Sequence, residues 1–292
     1  MKKRVLKLGL PKGSLQEATF KMFKKAGFNV TVSERSYFPS IDDPEIEPVL
    51  LRAQEMPRYV ETDLDCGITG EDWIKENNSR VIRIAELIYA KQSLRPVRWV
   101  VAVPKDSPIK GIKDLKGKQI ATELVNVTKK FLNKNKIKAD VEFSWGATEV
   151  KVAQGLVDAI VELTETGRSL EANKLRIIDT VCESTTQFIA NPRSWKDSWK
   201  KNKMEQIKVL LQGAIAAEEK VGLKMNVNKS DLNKIIALLP ALKNPTVSNL
   251  SKAGWLAVET VIDESVARTL VPALKKAGAT GIIEYSLNKV IN

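Results

Sequence analysis

Two stretches decide the fold: DLDCGITGEDW (63–73) and LVDAIVELTETGRS (156–169). Each carries a short, largely apolar strand-like run, Asp65–Ile68 in one and Val157–Leu163 with its acids Asp158 and Glu162 in the other, then a Thr-Gly pair, then residues suited to begin a helix. Apolar runs of that length, bounded by glycine and acids, read as buried strands. A strand passing through a polar glycine turn into a helix is the repeating unit of a parallel α/β sheet. Meeting the device twice predicts two similar lobes facing a cleft.

The same alternation extends outward. Val5–Leu10 reads as a strand, followed by Pro11-Lys12-Gly13-Ser14 and a helix from about Leu15 to Ala26. Ala18, Met22, Phe23 and Ala26 mark its inner face, Ser14 suits the N-cap and Gly27 the C′ position. Residues 39–48 read as a loop, Glu47–Val60 carries a short helical stretch, and Glu71 starts a helix. Val97–Pro104 is a strong strand, and Pro104–Pro108 reads as the crossing between lobes. Strands over Gln119–Thr122, Val141–Trp145 and Val157–Leu163 alternate with helices over Thr128–Asn133 and Glu149–Gly155. Gln187–Ala190 returns the chain to the first lobe, and an amphipathic helix covers about Trp195 to Leu211. The expected division is residues 1–100 with 187–212 as lobe I and 101–186 as lobe II.

From Gly213 the pattern changes. Leu223, Met225 and Val227 alternate with Lys224, Asn226 and Asn228, as on a half-buried strand. Ser230 can cap a helix carrying Leu232, Ile235, Ile236 and Leu239 on one face, stopped by Pro240. Pro245–Leu250 and Trp255–Ile262 read as a strand pair. Asp263 begins a helix through Val266, Leu270, Leu274 and Ala277, with Pro272 expected to kink it and Gly278 to end it. Ile282–Tyr285 closes a βαββαβ order, which predicts a ferredoxin-like domain over 213–292.

Composition narrows the chemistry. The 292 residues contain no histidine, which excludes an imidazole base, a serine–histidine relay and histidine metal ligands. Two cysteines, Cys66 and Cys182, lie outside any Cys-x-x-Cys pattern, against a disulfide framework and for a reducing cytoplasm. The opening MKKRVLKLGLPKG has signal-like charge, but Lys7 interrupts its short apolar stretch. No apolar run is long enough to span a bilayer, so a membrane location is not expected. The net charge is +12, which suits anionic small molecules and equally a solvated lysine-rich surface. Ten basic and seven acidic residues lie from Gly213 onward, so the surplus is spread out. A nucleic-acid binder would concentrate it on one face, and no nucleic-acid partner is expected.

Four helix starts suit anions: Lys12-Gly13-Ser14, Thr69-Gly70, Gly146-Ala147-Thr148 and Thr166-Gly167-Arg168-Ser169. The first N–H groups of a helix lack internal acceptors, and glycine lets an oxygen approach the backbone. Nothing matches the Walker loop or GxGxxG. Asp158 and Glu162 share a strand face about 13 Å apart, at about 3.3 Å per residue. Only Glu162, near the carboxyl end where α/β sheets bind ligands, can share a small ligand with Thr166–Ser169. Asp158 reads as a strand-edge acid. Glu123, Asp72 and Glu149 read either as ligand contacts or as acids complementing helix dipoles. Arg52 reads either as a phosphate clamp or as a helix-surface cation.

Taken together, LPKGSLQE (10–17), LLRAQEMPRYV (50–60), DCGITGEDW (65–73), VAVP (101–104), SWGATEVK (144–151), GLVDAIVELTETGRSL (155–170) and KAGATGII (276–283) resemble the ATP phosphoribosyltransferases, in the long form with a regulatory domain. The resemblance covers nearly the whole chain in order. It implies two lobes like type II periplasmic binding proteins, with the active site between them, and a C-terminal ferredoxin-like domain that senses histidine. It also implies transfer of phosphoribosyl from phosphoribosyl pyrophosphate to N1 of ATP with Mg²⁺, releasing pyrophosphate, as the first step of histidine biosynthesis. Homo-oligomers from dimers to hexamers and inhibition by L-histidine complete the expectation. By position, Glu162 and Thr164 with Thr166, Gly167, Arg168, Ser169 and Leu170 would hold phosphoribosyl pyrophosphate. Lys12, Gly13, Ser14, Arg52, Thr69, Gly70, Asp72, Glu123, Trp145 and Thr148 would border ATP. Ser14 stands where the family often has arginine, and Glu162 where it often has aspartate. No catalytic residue and no metal ligand is assigned. The alternative reading is a cytosolic two-lobed sensor without catalysis.

Overall fold

The computed structural model describes residues 4–33, 37–90, 94–240 and 245–291. It divides into two compact units, the first ending at Lys208 and the second beginning at Val209. In the first unit the chain forms β1 (Leu6–Lys12), α1 (Gln16–Ala26), β2 (Val30–Thr31), β3 (Ser40–Ile41), β4 (Ile46–Arg52), α2 (Met56–Thr62), β5 (Cys66–Gly70), α3 (Glu71–Asn77) and β6 (Ile82–Leu87). It continues through β7 (Val97–Pro104), β8 (Gln119–Thr122), α4 (Val125–Lys134), β9 (Asp140–Phe143), α5 (Thr148–Ala153), β10 (Ala159–Thr164), α6 (Arg168–Ala172), β11 (Leu175–Ser184) and β12 (Thr186–Ala190) to α7 (Ser198–Ala216), a helix that begins in the first unit and ends in the second.

Two five-stranded sheets result, ordered β4-β1-β5-β12-β6 and β9-β8-β10-β7-β11. β1 runs parallel to β4 and β5, and β8 parallel to β9 and β10. In each sheet one strand from a crossing segment, β12 or β7, lies antiparallel between the third and fourth strands of the lobe. Counted within its own lobe, each sheet therefore has the same order: second, first, third, crossing strand, fourth. The shared strand–Thr-Gly–helix device corresponds to the third strand of each sheet. Alternation explains the burial: Trp99, Val101, Val103, Ala159 and Val161 pack on one face of the second sheet. Val100, Ala102 and Ile160 pack on the other with Val152, Leu170 and Leu175. Both faces are covered, which is why these strands read as continuous apolar runs.

The crossing into the second lobe is not at Pro104–Pro108. β7 is already hydrogen-bonded to β10 and β11 along its length, so the chain changes sheets between Leu87 and Val97 and returns between Ser184 and Thr186. The expected boundary at 100/101 thus falls inside a strand. The short helical stretch expected within Glu47–Val60 is α2; the chain ahead of it is β4, on which Ile46, Pro48 and Leu50 are buried. Pro48 is tolerated because β4 lies at a sheet edge. β11, ten residues rich in polar side chains and interrupted by two register shifts, is a second edge strand without a clean period in sequence. Pro11 and Lys12 belong to β1, α1 starts at Gln16, and Ser14 does not cap it: the N-cap is Leu15, without a side-chain bond. Asp158 precedes β10 and is a structural acid, bonded to Lys118 Nζ at 3.0 Å and Gln119 N–H at 2.9 Å.

The second unit contains β13 (Lys220–Asn228), α8 (Leu232–Leu238), β14 (Thr246–Asn249), β15 (Trp255–Asp263), α9 (Glu264–Lys276) and β16 (Thr280–Ser286). Its antiparallel sheet is ordered β14-β15-β13-β16, the ferredoxin-like arrangement. Leu223, Met225, Val227, Ile235, Leu270 and Leu274 share its core. Ser230 is not the cap of α8. Asp231 occupies that position, while Asn228 Oδ1 accepts from Ser230 N–H at 3.1 Å. α9 runs through Pro272 without interruption.

Candidate active site between the lobes

The carboxyl ends of β1, β4 and β5 in lobe I and of β8, β9 and β10 in lobe II supply the expected site residues. Ser14, Gly70 and Asp72 from lobe I line one cavity of about 110 Å³ together with Leu163 and Glu165 from lobe II. A larger hollow of about 610 Å³ lies by the lobe connections. Its Arg83 is already held by Glu71 at 2.8 and 2.9 Å.

The loop after β10 is built as a cradle. Thr164 ends the strand buried, and its Oγ1 accepts from Gly167 N–H at 2.8 Å, turning the chain back on itself. Gly167 has φ +81°, a left-handed conformation that suits glycine. α6 then begins at Arg168. Thr166, Arg168 and Ser169 are exposed, whereas Leu170 is buried in the lobe II core. Leu170 can therefore reach a ligand only through its backbone. The N–H groups of a first helical turn have no acceptor within the helix, so hydroxyls, a guanidinium and backbone donors converge on one exposed bend.

Glu162 lies two residues before Thr164, half-buried, with Leu163 N–H donating to its Oε1 at 3.2 Å. Burial pushes its carboxyl up to about 7, and the negative charges of Glu149 and Glu123 push in the same direction. Bonds from Leu163 N–H and the Thr148 hydroxyl offset part of this. The carboxylates of Glu149 and Glu123 thus face Glu162 across a partly buried pocket. Thr148 Oγ1 is 3.3 Å from Ser144 Oγ. Glu123, Thr148, Glu149 and Glu162 are thus brought together.

On the lobe I side, Lys12 Nζ lies 3.3 Å from the Tyr37 ring centroid, and Arg52 Cζ lies 5.5 Å over the Trp145 ring of lobe II. Arg52 is a strand-end cation, not a helix-surface one. Trp145 is 65% exposed and meets Phe143 edge-on at 6.1 Å, leaving an aromatic face for a base. Gly13 and Ser14 are exposed.

Three of the expected nucleotide residues, Thr69, Asp72 and Thr148, are buried and hydrogen-bonded within the protein. Thr69 is fully buried and donates to the Ala53 carbonyl at 2.7 Å. Asp72 is 3% exposed, accepting from Trp99 Nε1 at 2.6 Å and Trp73 N–H at 2.9 Å. Its N–H donates to Ser184 Oγ at 3.1 Å, and burial raises its pKa. Gly70 serves this arrangement, because a Cβ there would lie 2.0 Å from Asp72 Oδ1. Sequence reasoning missed Tyr37, Gln54, Glu76 and Trp99. Gln54 Nε2 reaches Glu123 Oε2 at 3.4 Å across the lobes. An aromatic pair in a polar loop was the available signal for Tyr37; the others have no local signature.

Among the described residues no group of three or more acidic or cysteine side chains could hold a metal ion, and no helix is long and apolar enough to cross a membrane.

A family model described as ATP phosphoribosyltransferase matches residues 52–213, and one described as HisG, C-terminal domain, matches 217–289. An ATP phosphoribosyltransferase of Thermodesulfovibrio yellowstonii is 63% identical over 292 residues, covering 100% of both chains. One of Chlorobaculum parvum is 58% identical over 289 residues, 99% of this chain and 98% of that protein. Among solved structures, the ATP phosphoribosyl transferase (HisG:HisZ) complex from Thermotoga maritima superimposes with a TM-score of 0.60 at 28% identity, covering 71% of this chain and 98% of that one. Two matched lobes of this topology, the exposed bend after the Glu162 strand and end-to-end similarity of this degree have one consequence: the chain belongs to the ATP phosphoribosyltransferase family.

Proposed function

We propose that this protein transfers the phosphoribosyl group of phosphoribosyl pyrophosphate to N1 of ATP, releasing pyrophosphate, the first step of histidine biosynthesis. The observation that carries the reading is the Thr164–Leu170 bend next to Glu162, in a chain 63% identical to a relative of that name. The bend takes the 5-phosphate on exposed Thr166, Arg168 and Ser169 and on backbone N–H groups. Glu162, as a carboxylate, accepts from the ribose hydroxyls. Arg52 and Lys12 face the nucleotide phosphates, and the exposed Trp145 ring offers a surface for adenine.

The chemistry fits a chain without histidine. The N1 lone pair of adenine forms the new bond to C1 of the ribose, while the C1–oxygen bond breaks with its electron pair going to pyrophosphate. No base is required to create the nucleophile. Positioning and charge neutralisation carry the rate. Mg²⁺ commonly binds through one or two carboxylates plus substrate phosphates. Glu123 and Glu149, close enough to Glu162 to raise its pKa, fit that role with the pyrophosphate supplying the other oxygens. There the ion would neutralise the departing charge. The 213–292 domain is read as the histidine sensor, and the protein as a cytoplasmic homo-oligomer between dimer and hexamer.

The test is pyrophosphate release from ATP plus phosphoribosyl pyrophosphate with Mg²⁺, alongside a mass measurement of the adduct. One pyrophosphate per phosphoribosyl-ATP is expected, with the rate falling as L-histidine is added. Binding of both ligands without product would return the protein to the sensor reading. A rate indifferent to histidine would overturn the sensing role alone.

A further inference from the structure

The first turn of α4 belongs to lobe II, yet its free donors are capped by a carboxylate of lobe I. Glu76, in the last turn of α3, accepts from Asn126 N–H through Oε1 at 2.8 Å and from Val127 N–H through Oε2 at 2.9 Å. Asn126 Nδ2 adds a bond to the Glu76 carbonyl at 3.0 Å. These donors are the second and third N–H groups of a ten-residue helix, positions that a helix normally fills with its own N-cap side chain. Leu124, at the N-cap here, has no side chain able to do so. The next residue, Asn77, donates to the Gln54 carbonyl at 2.8 Å, and Gln54 in turn reaches Glu123, just ahead of α4.

α3 therefore holds lobe II at both ends. Its first turn grips the connecting strands through Asp72, bonded to Trp99 of β7 and Ser184 of β11. Its last turn grips α4. This second grip adds to the Gln54–Glu123 and Arg52–Trp145 contacts in holding the lobe I side chains Lys12 and Arg52 at a set separation from the lobe II bend at Thr164–Leu170. Group transfer between two substrates depends on that separation, because an ångström of misplacement far from the reacting atoms can cost about a hundredfold in rate. A filled helix N-terminus is also closed to substrate phosphate, leaving the bend after β10 as the better-placed anion seat.

We propose that Glu76 is a positioning residue: its carboxylate, capping α4 from the opposite lobe, sets the inter-lobe spacing needed for transfer without itself touching substrate. The inference rests on the transferase reading, and wild-type pyrophosphate release tests that reading separately. Glu76→Ala in the full chain is expected to lower kcat by about tenfold to a hundredfold, with the dissociation constant of phosphoribosyl pyrophosphate alone kept within about twofold, since the binding bend lies wholly in lobe II. Added acetate should restore part of kcat in Glu76→Ala and leave wild type unchanged, because a small carboxylate can refill the vacated helix terminus. Glu76→Gln, which keeps the volume and one acceptor, should fall between the two and serves if the alanine variant does not fold. A wild-type kcat in either variant, a loss of phosphoribosyl pyrophosphate affinity equal to the loss of kcat, or failure of acetate to restore the alanine enzyme would each overturn the assignment.

Discussion

Thr69-Gly70 and Thr166-Gly167 occupy matching places in two sheets of the same strand order, yet they do opposite things. In lobe I the threonine hydroxyl is tied to Ala53, and the acid that follows, Asp72, is buried against Trp99. The acid before the strand, Asp65, is likewise held, by Lys200 Nζ at 2.6 Å and Lys7 N–H at 2.9 Å. In lobe II Thr166, Arg168 and Ser169 are exposed, and the Thr166 hydroxyl accepts from Arg168 N–H at a long 3.5 Å. The acid of the strand, Glu162, has the carboxylates of Glu149 and Glu123 beside it. A polar group satisfied within the fold stabilises it; one left incompletely paired costs stability and is available to a ligand. The same dipeptide is a strut in one lobe and a candidate seat in the other.

Replacing Glu162 should separate the two duties most widely. Glu162→Gln keeps the shape but removes charge-assisted bonds to the ribose hydroxyls, each about 1.5–3 kcal/mol, so kcat/KM for phosphoribosyl pyrophosphate should fall about 10²–10³-fold. Wild type should lose kcat/KM as pH drops through about 7, where Glu162 takes up its proton, and the variant should lack that limb. Stability moves the other way. With a folded pKa raised from 4.5 to about 7, the stability linked to this proton is full below about 4.5 and lost as pH rises through about 7. At pH 8 Glu162→Gln should therefore be more stable than wild type by up to about 3.5 kcal/mol, the rise from 4.5 to about 7 counted at about 1.4 kcal/mol per pKa unit, read by urea denaturation. A variant that loses both activity and stability would place Glu162 with the struts.

Gly70 and Gly167 sharpen the contrast from the backbone side. Gly70 has an extended φ of −84°, so alanine suits its backbone, but the new Cβ would displace Asp72 from its buried partners. Gly70→Ala should cost about 2–3 kcal/mol, the range for leaving a buried charged or polar group unsatisfied. At Gly167 the nearest atom to an added Cβ is Ile177 Cδ1 at 3.7 Å. There is room, and only the left-handed conformation objects, at about 1–2 kcal/mol. Calorimetry on Gly167→Ala should show that modest destabilisation together with weakened phosphoribosyl pyrophosphate binding, whereas Gly70→Ala should lose stability first. Equal behaviour of the two variants would dissolve the distinction.

Much of this was legible in the sequence wherever burial imposes a period. β5, β7, β8 and β10 are apolar runs because both faces of a central strand are covered, and the alternation of Leu223, Met225 and Val227 gave the first strand of the C-terminal domain. β4 and β11 were missed because an edge strand tolerates Pro48 or a run such as Asp179-Thr180, which read locally as loop. The lobe crossing was misplaced because a buried strand does not say which sheet it joins; Pro104 and Pro108 marked a strand end, not a change of lobe. The exposed bend from Thr166 to Ser169 could be read because its residues act locally. Thr69 and Asp72 could not be distinguished from it, since their partners Ala53 and Trp99 are brought in by the fold. Glu76 was invisible for the same reason, its acceptor role depending on a helix fifty residues further on.

The smallest expected effect tests the strut directly. Thr69→Val removes one hydroxyl and keeps the branched shape. The lost bond to the Ala53 carbonyl should cost about 1 kcal/mol, the usual net value of a hydrogen bond. The fully buried site favours a methyl group in the hydroxyl's place, so the loss stays near that figure. Ala53 lies on the loop after β4 that carries Gln54, so slackening there could reach the cleft only through the 3.4 Å contact to Glu123, too long to transmit much. kcat/KM for both substrates should stay within about twofold, well under the 1.4 kcal/mol of a tenfold change. Thr164→Val removes a buried threonine hydroxyl in lobe II, the acceptor that turns Gly167 back toward the strand, and should lower phosphoribosyl pyrophosphate affinity clearly more than Thr69→Val at a similar stability cost. If Thr69→Val instead lost ATP or phosphoribosyl pyrophosphate affinity to the same degree, its hydroxyl would be reaching a ligand, and the lobes would differ less than their hydrogen bonds indicate.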